Sequence, residues 1–332
     1  MENIKPRIHY WDNIKGFLIL LVVLGHLLEQ IPDGRTSVIY KLIYLFHMPL
    51  FVFCSGYLAN YSPQEIVKRL LIPYVILQIL CCICTFQKVQ ITTPFWILWY
   101  LLALAVWRIT IPFLDKCSQK RVPIAIVLLV LCGCLFGLDD TVGYYGTLSR
   151  IIVFYPFFVA GYYIKKYGYF QQFQSVPKTI KAISVLTVLV AVVTFSFFAS
   201  HIDAKWLYGS YSYAAGNYNA FFRAAHYLLA TMIGAVILIF ASKEKTFLSA
   251  WGNRSFIIYL SHMAIVPVVR VLISLIEMNR SLQYAVCFII SVVFCIVTAR
   301  VKERITRIYQ LYKHEMGPVK IYAQNCLQAP AE

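Results

Sequence analysis

Residues 11–26 read WDNIKGFLILLVVLGH, an apolar run with charged groups at its start and a histidine at its end. Lys15 and His26 are eleven residues apart, so at about 100° per residue both side chains lie on one face of a helix. The rise between them is about 16 Å, roughly half of a ~30 Å hydrocarbon core, which predicts that His26 lies near the midplane of a membrane. An ionisable group at that depth is costly and usually faces the interior of a helix bundle, where it has a function.

The whole chain has the composition of a membrane protein. Of its 332 residues, 60% are hydrophobic and 13% are charged, whereas soluble domains carry about 25% charged residues. The apolar runs are continuous rather than alternating, which argues against a β-barrel. The sequence therefore predicts an all-α polytopic membrane protein.

Hydropathy predicts ten membrane-spanning helices that are joined mostly by short loops. Their approximate bounds are 12–30, 37–60, 66–87, 94–114, 122–138, 149–165, 180–200, 222–241, 255–276 and 281–300. The longest loop, about 201–221, is rich in Tyr, Ser, Gly and Asn. An even number of spans places both termini on the same side of the membrane.

The net charge of +16 indicates topology rather than a nucleic-acid surface. With the N-terminus in the cytoplasm, 21 of the 30 basic residues fall on the cytoplasmic side, eight fall on the outer side and Arg108 lies within a span. Cytoplasmic loops of membrane proteins carry such an excess of Lys and Arg. We therefore expect a multi-pass protein of the inner (cytoplasmic) membrane with both termini cytoplasmic.

The chain divides into a membrane domain, residues 1–300, and a basic tail, residues 301–332. The tail keeps an apolar helical stripe on one face, formed by Val301, Ile305, Ile308, Leu311 and Tyr312. A basic amphipathic helix of this kind binds the anionic inner leaflet. We expect the tail to lie on that surface.

Few ionisable side chains fall inside the predicted spans, so each can be considered separately as a candidate functional group. Glu29 follows His26 by one helical turn, where a carboxylate can orient an imidazole. His47, Arg150 and His262 lie in or at the ends of other spans. The alternative for His47 and His262 is a structural role, in which the imidazole packs between helices and hydrogen-bonds a carbonyl. For His26 this structural alternative is weaker.

A metal site is not expected. Cys81, Cys82 and Cys84 are close in sequence, but they lie in a predicted span with no histidine nearby. Cysteines in such spans behave as small hydrophobic residues.

The charged groups favour one kind of chemistry. A neutral imidazole in a cavity is a suitable general base for a hydroxyl, and basic residues at the cytoplasmic end can hold phosphates. An anionic donor would then enter from the cytoplasm and meet a hydroxyl acceptor from the other side. A proton-coupled transporter would also need buried His and Glu, so this alternative stays open.

Five stretches, taken in order, resemble the membrane acyltransferase-3 family, in particular its fucose O-acetylase-like branch. They are 11–26, 47–57 (HMPLFVFCSGY), 95–102 (FWILWYLL), 150–161 (RIIVFYPFFVAG) and 258–262 (IYLSH). The signature of that family is a basic residue, ten intervening residues and a catalytic histidine. Lys15 and His26 match its spacing, although the basic residue is more often Arg.

The resemblance implies a ten-helix bundle that moves an acyl group, usually acetyl, from cytoplasmic acyl-CoA to a hydroxyl of a cell-surface or lipid-linked sugar or polysaccharide. His26 would be the general base, supported by Glu29 and by Asp12, which would pair with Lys15. The CoA phosphates would be held by Lys15, Lys68 and Arg69. The acceptor cavity would contain His47, Trp96, Trp99, Arg150 and His262.

Transfer would be direct, because Ser55 and Ser261 resemble structural serines rather than nucleophiles. The expected ligands are acetyl-CoA or another acyl-CoA as donor, no metal and no nucleic acid, and a homo-oligomer is left open. The alternative function is a polysaccharide or glycolipid exporter of the same membrane fold, which would not bind acetyl-CoA.

Overall fold

Ten long helices form the protein in a computed structural model, which describes residues 9–142, 145–171 and 175–327, with side chains described up to residue 308. In chain order the spans are α1 Tyr10–Leu28, α2 Val38–Tyr57, α3 Pro63–Cys84, α4 Trp96–Asp115, α5 Gln119–Leu138, α6 Tyr145–Lys166, α7 Lys178–His201, α8 Ala220–Phe240, α9 Ser255–Leu275 and α10 Arg280–Ile308. No strand occurs in these described ranges. The prediction of an all-α bundle with ten spans is confirmed.

The helix that contains α10 does not stop at the end of its span. It continues as one helix, Arg280–Leu327, so no break separates the membrane domain from the tail near residue 300. Val301, Ile305 and Ile308 are exposed, while the side chains of Leu311 and Tyr312 lie outside the described part. The position of the tail on the membrane surface stays a prediction.

Short polar side chains fix where several helices begin. The hydroxyl of Ser37 accepts from the Tyr40 backbone N–H at the start of α2. The side chain of Asn219 accepts from the Phe222 N–H at the start of α8. Both satisfy backbone donors that the first helical turn leaves without a partner.

α1 is the most buried of the ten spans. It packs against α2, α9, α10 and a short helix, Phe247–Asn253. A Cβ atom added to Gly16 would lie 2.0 Å from the Leu248 carbonyl oxygen, and one added to Gly252 would lie 1.7 Å from the Asp12 carbonyl oxygen. Glycine at both positions therefore allows the two helix backbones to touch, and this crossing fixes the start of α1.

The loop between α7 and α8 folds over one end of the bundle. Arg223 in α8 is almost fully buried and donates hydrogen bonds to the carbonyl oxygens of Gly133 (3.1 Å) and Tyr211 (2.9 Å). These bonds join the loop, residues 202–219, to α8 and α5. Hydrogen bonds between the Tyr40 and Tyr208 hydroxyls and from Ser149 to the Gly209 carbonyl oxygen hold it against the ends of α2 and α6. We call this end of the bundle the Arg35 end, and the opposite end the Lys15 end.

Candidate active site

His26 and Glu29 lie side by side at the Arg35 end of α1. His26 Nδ1 is 3.4 Å from Glu29 Oε1, and the two side chains are only 16% and 8% exposed. His26 lies in the last turn of α1, because the helix ends at Leu28 and the chain then turns through Asp33, at φ 56°, and Gly34. The expectation that His26 lies near the middle of its span is wrong for this reason.

Two tyrosines of α2 hydrogen-bond to the Glu29 carboxylate. Tyr40 and Tyr44 donate hydrogen bonds to Glu29 Oε1 at 2.8 Å and 2.5 Å, and the Tyr44 hydroxyl is also 3.3 Å from His26 Nδ1. Burial alone raises the pKa of Glu29, which follows the last residue of α1. His26 and the tyrosine hydrogen bonds outweigh burial and lower the pKa to about 2. The carboxylate is therefore ionised at neutral pH beside the imidazole.

The other faces of the His26 ring contact Trp96 and His262. Trp96 meets the imidazole edge to face at a centroid distance of 4.7 Å, and His262 stacks on it at 5.2 Å. His262 is fully buried, its Nδ1 donates to the Tyr259 carbonyl oxygen, and its Nε2 has no hydrogen-bond partner among the described residues. Trp96 adopts a positive φ of 41°, a strained conformation for a bulky residue, which is typical of functional positions.

A cavity of about 170 Å³ opens beside His26 at the Arg35 end. It is formed by the ends of α1, α2, α4 and α6 and by the 202–219 loop. The residues that line it are His26, Glu29, Arg35, Tyr44, His47, Met48, Trp96, Ile97, Trp99, Arg150, Phe154, Leu207, Tyr208 and Tyr211. Its mixture of aromatic faces and polar groups suits a sugar ring.

Arg150 links two parts of the cavity lining, the Trp99 ring of α4 and the backbone of the 202–219 loop. Its guanidinium lies 4.9 Å from the centre of the Trp99 ring, and it donates to the Tyr208 carbonyl oxygen at 3.1 Å. His47 lines the same cavity, and its Nδ1 donates to the Ile43 carbonyl oxygen at 2.6 Å. Four residues expected at an acceptor site, His47, Trp96, Trp99 and Arg150, thus share one cavity with His26, while His262 lies behind the imidazole.

Asp12 and Lys15 lie at the opposite end of α1. Lys15 Nζ is 3.1 Å from Asp12 Oδ1, one turn apart on the helix. Asp12 precedes His26 by fourteen residues, about 21 Å along the axis. The structure therefore places Asp12 with Lys15 and away from the imidazole, although the sequence grouped it with the catalytic residues.

Lys68 and Arg69 lie on the surface of α3. Both are exposed, and Arg69 is 3.1 Å from Glu65. They belong to a stretch of π-helix, Val67–Leu71. Among the described residues, no contact joins Lys68 or Arg69 to Lys15.

Several residues of the site escaped the sequence reasoning. Tyr40 and Tyr44 are two of them; with the expected His47 they are spaced i, i+4, i+7 in α2, so their common face was readable from the sequence. Arg35 lies 3.9 Å from Glu29, and the hydroxyls of Tyr40 and Tyr208 are 2.7 Å apart. Nothing in the sequence indicates that the long loop carrying Tyr208 returns to α1.

The described residues contain no group of three or more His, Cys, Asp or Glu side chains able to hold a metal ion. Of the three neighbouring cysteines of α3, Cys82 is buried, Cys81 is half-buried and Cys84 is exposed.

Comparison with known proteins places this chain in a family. The family model described as an acyltransferase domain, of the acyltransferase-3 family, matches residues 8–300. Over 55 residues the chain is 53% identical to the nodulation protein NolL of Sinorhizobium fredii (strain NBRC 101917 / NGR234) and 47% identical to NolL of Mesorhizobium japonicum (strain LMG 29417 / CECT 9101 / MAFF 303099). Each match covers 15% of this chain and 15% of the relative. No solved structure gives a significant match. Because the family model covers nearly all of the membrane region, the chain belongs to the acyltransferase-3 family and is a multi-pass membrane protein.

Proposed function

We propose that the protein is an O-acetyltransferase, which transfers the acetyl group of acetyl-CoA to a hydroxyl of a cell-surface or lipid-linked glycan. The observation that carries the proposal is the ionised Glu29 beside His26, at the edge of a cavity lined by Trp96, Trp99 and Arg150. Family membership supplies the class of reaction. The aromatic and polar cavity supports a sugar as the acceptor.

His26 is suited to the role of general base. If Nδ1–H faces Glu29 Oε1, the lone pair of the neutral imidazole is on Nε2. Glu29 then holds the ring in that tautomer and stabilises the imidazolium that forms when the base takes a proton. Tyr40 and Tyr44 keep the carboxylate in place.

The transfer needs one bond to form and one to break. The sugar hydroxyl oxygen attacks the thioester carbonyl carbon while His26 Nε2 accepts the hydroxyl proton. The tetrahedral intermediate then collapses, the C–S bond breaks, and the imidazolium returns the proton to the CoA thiolate. The Arg150 guanidinium is the candidate to stabilise the oxyanion, because it is a positive charge that lines the cavity beside Trp99.

The donor would bind from the Lys15 end. A cation at Lys15, oriented by Asp12, suits the phosphates of CoA. The distance of about 16 Å along the helix from Lys15 to His26 suits a donor with a charged head and a long neutral arm. Lys68 and Arg69 are assigned a weaker role, as exposed charges that attract the anionic donor. We place the Lys15 end in the cytoplasm of the inner membrane, in keeping with the excess of basic residues there.

Acetyl-CoA binding tests the proposal against an exporter of the same fold. Purified protein in detergent is titrated with acetyl-CoA by calorimetry, and radiolabelled acetyl transfer to membrane glycans is measured for the wild type and for His26→Ala. The enzyme should bind acetyl-CoA in both forms and transfer acetyl only in the wild type. Absence of binding by the wild type, or full transfer by correctly inserted His26→Ala, would contradict the proposal.

A further inference from the structure

A second pocket lies beside the catalytic cavity at the Arg35 end of the bundle. Its volume is about 610 Å³, against about 170 Å³ for the cavity beside His26. The turn before α2, the end of α7 and the 202–219 loop form it, and its lining includes Lys41, Lys205 and Trp206. We call it the loop pocket.

The loop pocket and the catalytic cavity share one wall. Arg35 and Tyr208 line both spaces. The hydroxyls of Tyr208 and Tyr40 are 2.7 Å apart, and Tyr40 donates to Glu29 Oε1 at 2.8 Å. A hydrogen-bonded chain therefore runs from this wall to the carboxylate of the catalytic pair. Because the two spaces adjoin, neighbouring residues of one glycan can occupy both.

Positive charge dominates the loop pocket. Its lining contains three cations, Arg35, Lys41 and Lys205, and His201 lines it as well. Asp203 is the one acidic residue in the described lining. Such a pocket attracts an anion and disfavours a cationic ligand.

The lysines of the loop pocket have no carboxylate partner among the residues that the structure describes. Asp203 lies near Lys41 but beyond the range of an ion pair, and its Oδ1 accepts from the Lys205 backbone N–H at 2.9 Å. The Lys41 ammonium donates to the Ala199 carbonyl oxygen at 2.6 Å. An ammonium has three donors, so a bond to a neutral carbonyl leaves its charge and further donors for an anion.

Aromatic rings give the loop pocket its second property. Trp206 is held by a hydrogen bond from Nε1 to the Gly216 carbonyl oxygen at 2.6 Å and by stacking with Tyr218 at a centroid distance of 5.7 Å. The Lys205 ammonium lies 5.8 Å from the centre of the Tyr211 ring. Aromatic faces beside cations suit a sugar with an anionic substituent, because the sugar ring packs on the aromatic faces and the anion accepts from the cations.

The acetyl transfer itself leaves these cations without a role. The phosphates of the donor are assigned to the Lys15 end, and the oxygen that attacks the thioester belongs to a neutral hydroxyl. The cations of the loop pocket therefore suit a part of the acceptor that does not react.

We propose, on the basis of the O-acetyltransferase function above, that the loop pocket binds an anionic sugar residue next to the one that is acetylated. The anion is a carboxylate or a phosphate and binds Arg35, Lys41 and Lys205, while the sugar ring packs on Trp206. The substrate is thus an acidic glycan. The reaction that adds the acidic sugar, or its phosphate, must precede acetylation.

Equilibrium binding of labelled trisaccharides tests the loop pocket without requiring activity. The full-length protein in a neutral detergent is titrated by fluorescence polarisation with trigalacturonate, galactotriose 6-phosphate and galactotriose, each labelled at its reducing end. One or both anionic trisaccharides should bind about tenfold more tightly than galactotriose, as a charged hydrogen bond predicts. The tighter of the two identifies the anionic group.

Two results of this titration would overturn the proposal. Equal binding of all three trisaccharides would show that charge is not recognised. Displacement of the anionic trisaccharide by phosphatidylglycerol in the micelles would show a site for lipid head groups instead.

Two charge-reversal variants locate the binding site. Lys205 is exposed, and Lys205→Glu should weaken binding of the anionic trisaccharide about tenfold and leave that of galactotriose unchanged. Lys88→Glu reverses an exposed lysine in the loop between α3 and α4, outside the loop pocket, and should have no effect. An equal loss in the two variants would show general attraction to a basic surface and contradict the assignment.

Acetyl-CoA titration and the glycans of the native host separate the two proposals. Glycans that the wild type labels with radioactive acetyl are released from membranes by mild acid and separated by anion exchange, and the label should elute with acidic glycans. If acetyl-CoA binds and the label elutes with neutral glycans, only the acidic acceptor is refuted. If the anionic trisaccharide binds in the loop pocket but acetyl-CoA does not bind, the acetyltransferase function is refuted instead.

Discussion

His26 Nδ1 lies 3.4 Å from Glu29 Oε1, one helical turn further along α1. The pair is held by α2, because Tyr40 and Tyr44 both donate to the same carboxylate oxygen. The orientation of His26 therefore depends on residues of a second helix, which lie at a distance from it along the sequence.

Substitution of His26 by Gln should lower the rate of acetyl transfer by about 10²- to 10⁴-fold, the usual contribution of a general base. Glutamine keeps a polar side chain of similar length, so the fold should be retained. Steady-state transfer of radiolabelled acetyl measures the loss, and unchanged gel filtration and acetyl-CoA affinity are the control. A rate within threefold of the wild type would remove His26 from the mechanism.

Substitution of Glu29 by Gln should lower kcat by about 10- to 100-fold, the equivalent of losing a charged hydrogen bond of about 1.5–3 kcal/mol. The KM for acetyl-CoA should not change, since Glu29 lies far from Lys15. Tyr44→Phe should lower kcat by a smaller factor, because Tyr40 still donates to the carboxylate. A rise in KM for the donor with kcat unchanged would be inconsistent with a role in orienting His26.

Substitution of Lys15 by Ala should raise the KM for acetyl-CoA about tenfold or more, because one charged contact with a phosphate is lost. Lys15→Arg should retain most of the affinity, and Asp12→Asn should have an intermediate effect. Acetyl-pantetheine lacks the nucleotide phosphates, so its KM should be the same for the wild type and Lys15→Ala. An equal loss with both donors would mean that Lys15 does not bind phosphate.

Substitution of Gly252 by Ala should destabilise the protein, because the new Cβ would collide with the Asp12 carbonyl oxygen. Overpacking of this kind costs about 1–3 kcal/mol, so we expect a drop of several degrees in Tm and weaker acetyl-CoA binding. Gly234→Ala is the matched control, since its Cβ would meet Leu50 at an ordinary 3.5 Å. Equal Tm values for the two variants would argue against a close crossing of α1 and the short helix.

The orientation in the membrane can be tested with fusions at chosen loops. Alkaline phosphatase fused after Lys205 should be active, because the 202–219 loop is expected to lie outside, and a fusion after Lys243 should be inactive. Fluorescent protein fused at the same positions should show the opposite pattern. Activity after Lys243 would reverse the topology and place the donor on the other side.

The sequence by itself determined the ten spans, because a continuous apolar run of about 20 residues has few alternatives to a membrane helix. It also placed Glu29 next to His26, since residues three apart share a helix face. Lys15 could be paired with Asp12 for the same reason.

Only the tertiary structure decided what surrounds that pair. The loop that carries Tyr208 crosses the end of the bundle, and His262, 236 residues after His26, stacks on the imidazole. Such contacts depend on how helices pack, which short-range periodicity does not encode. The depth of His26 was also decided by the fold, because the turn through Asp33 and Gly34 ends α1 at Leu28 and places the base beside the cavity at the Arg35 end.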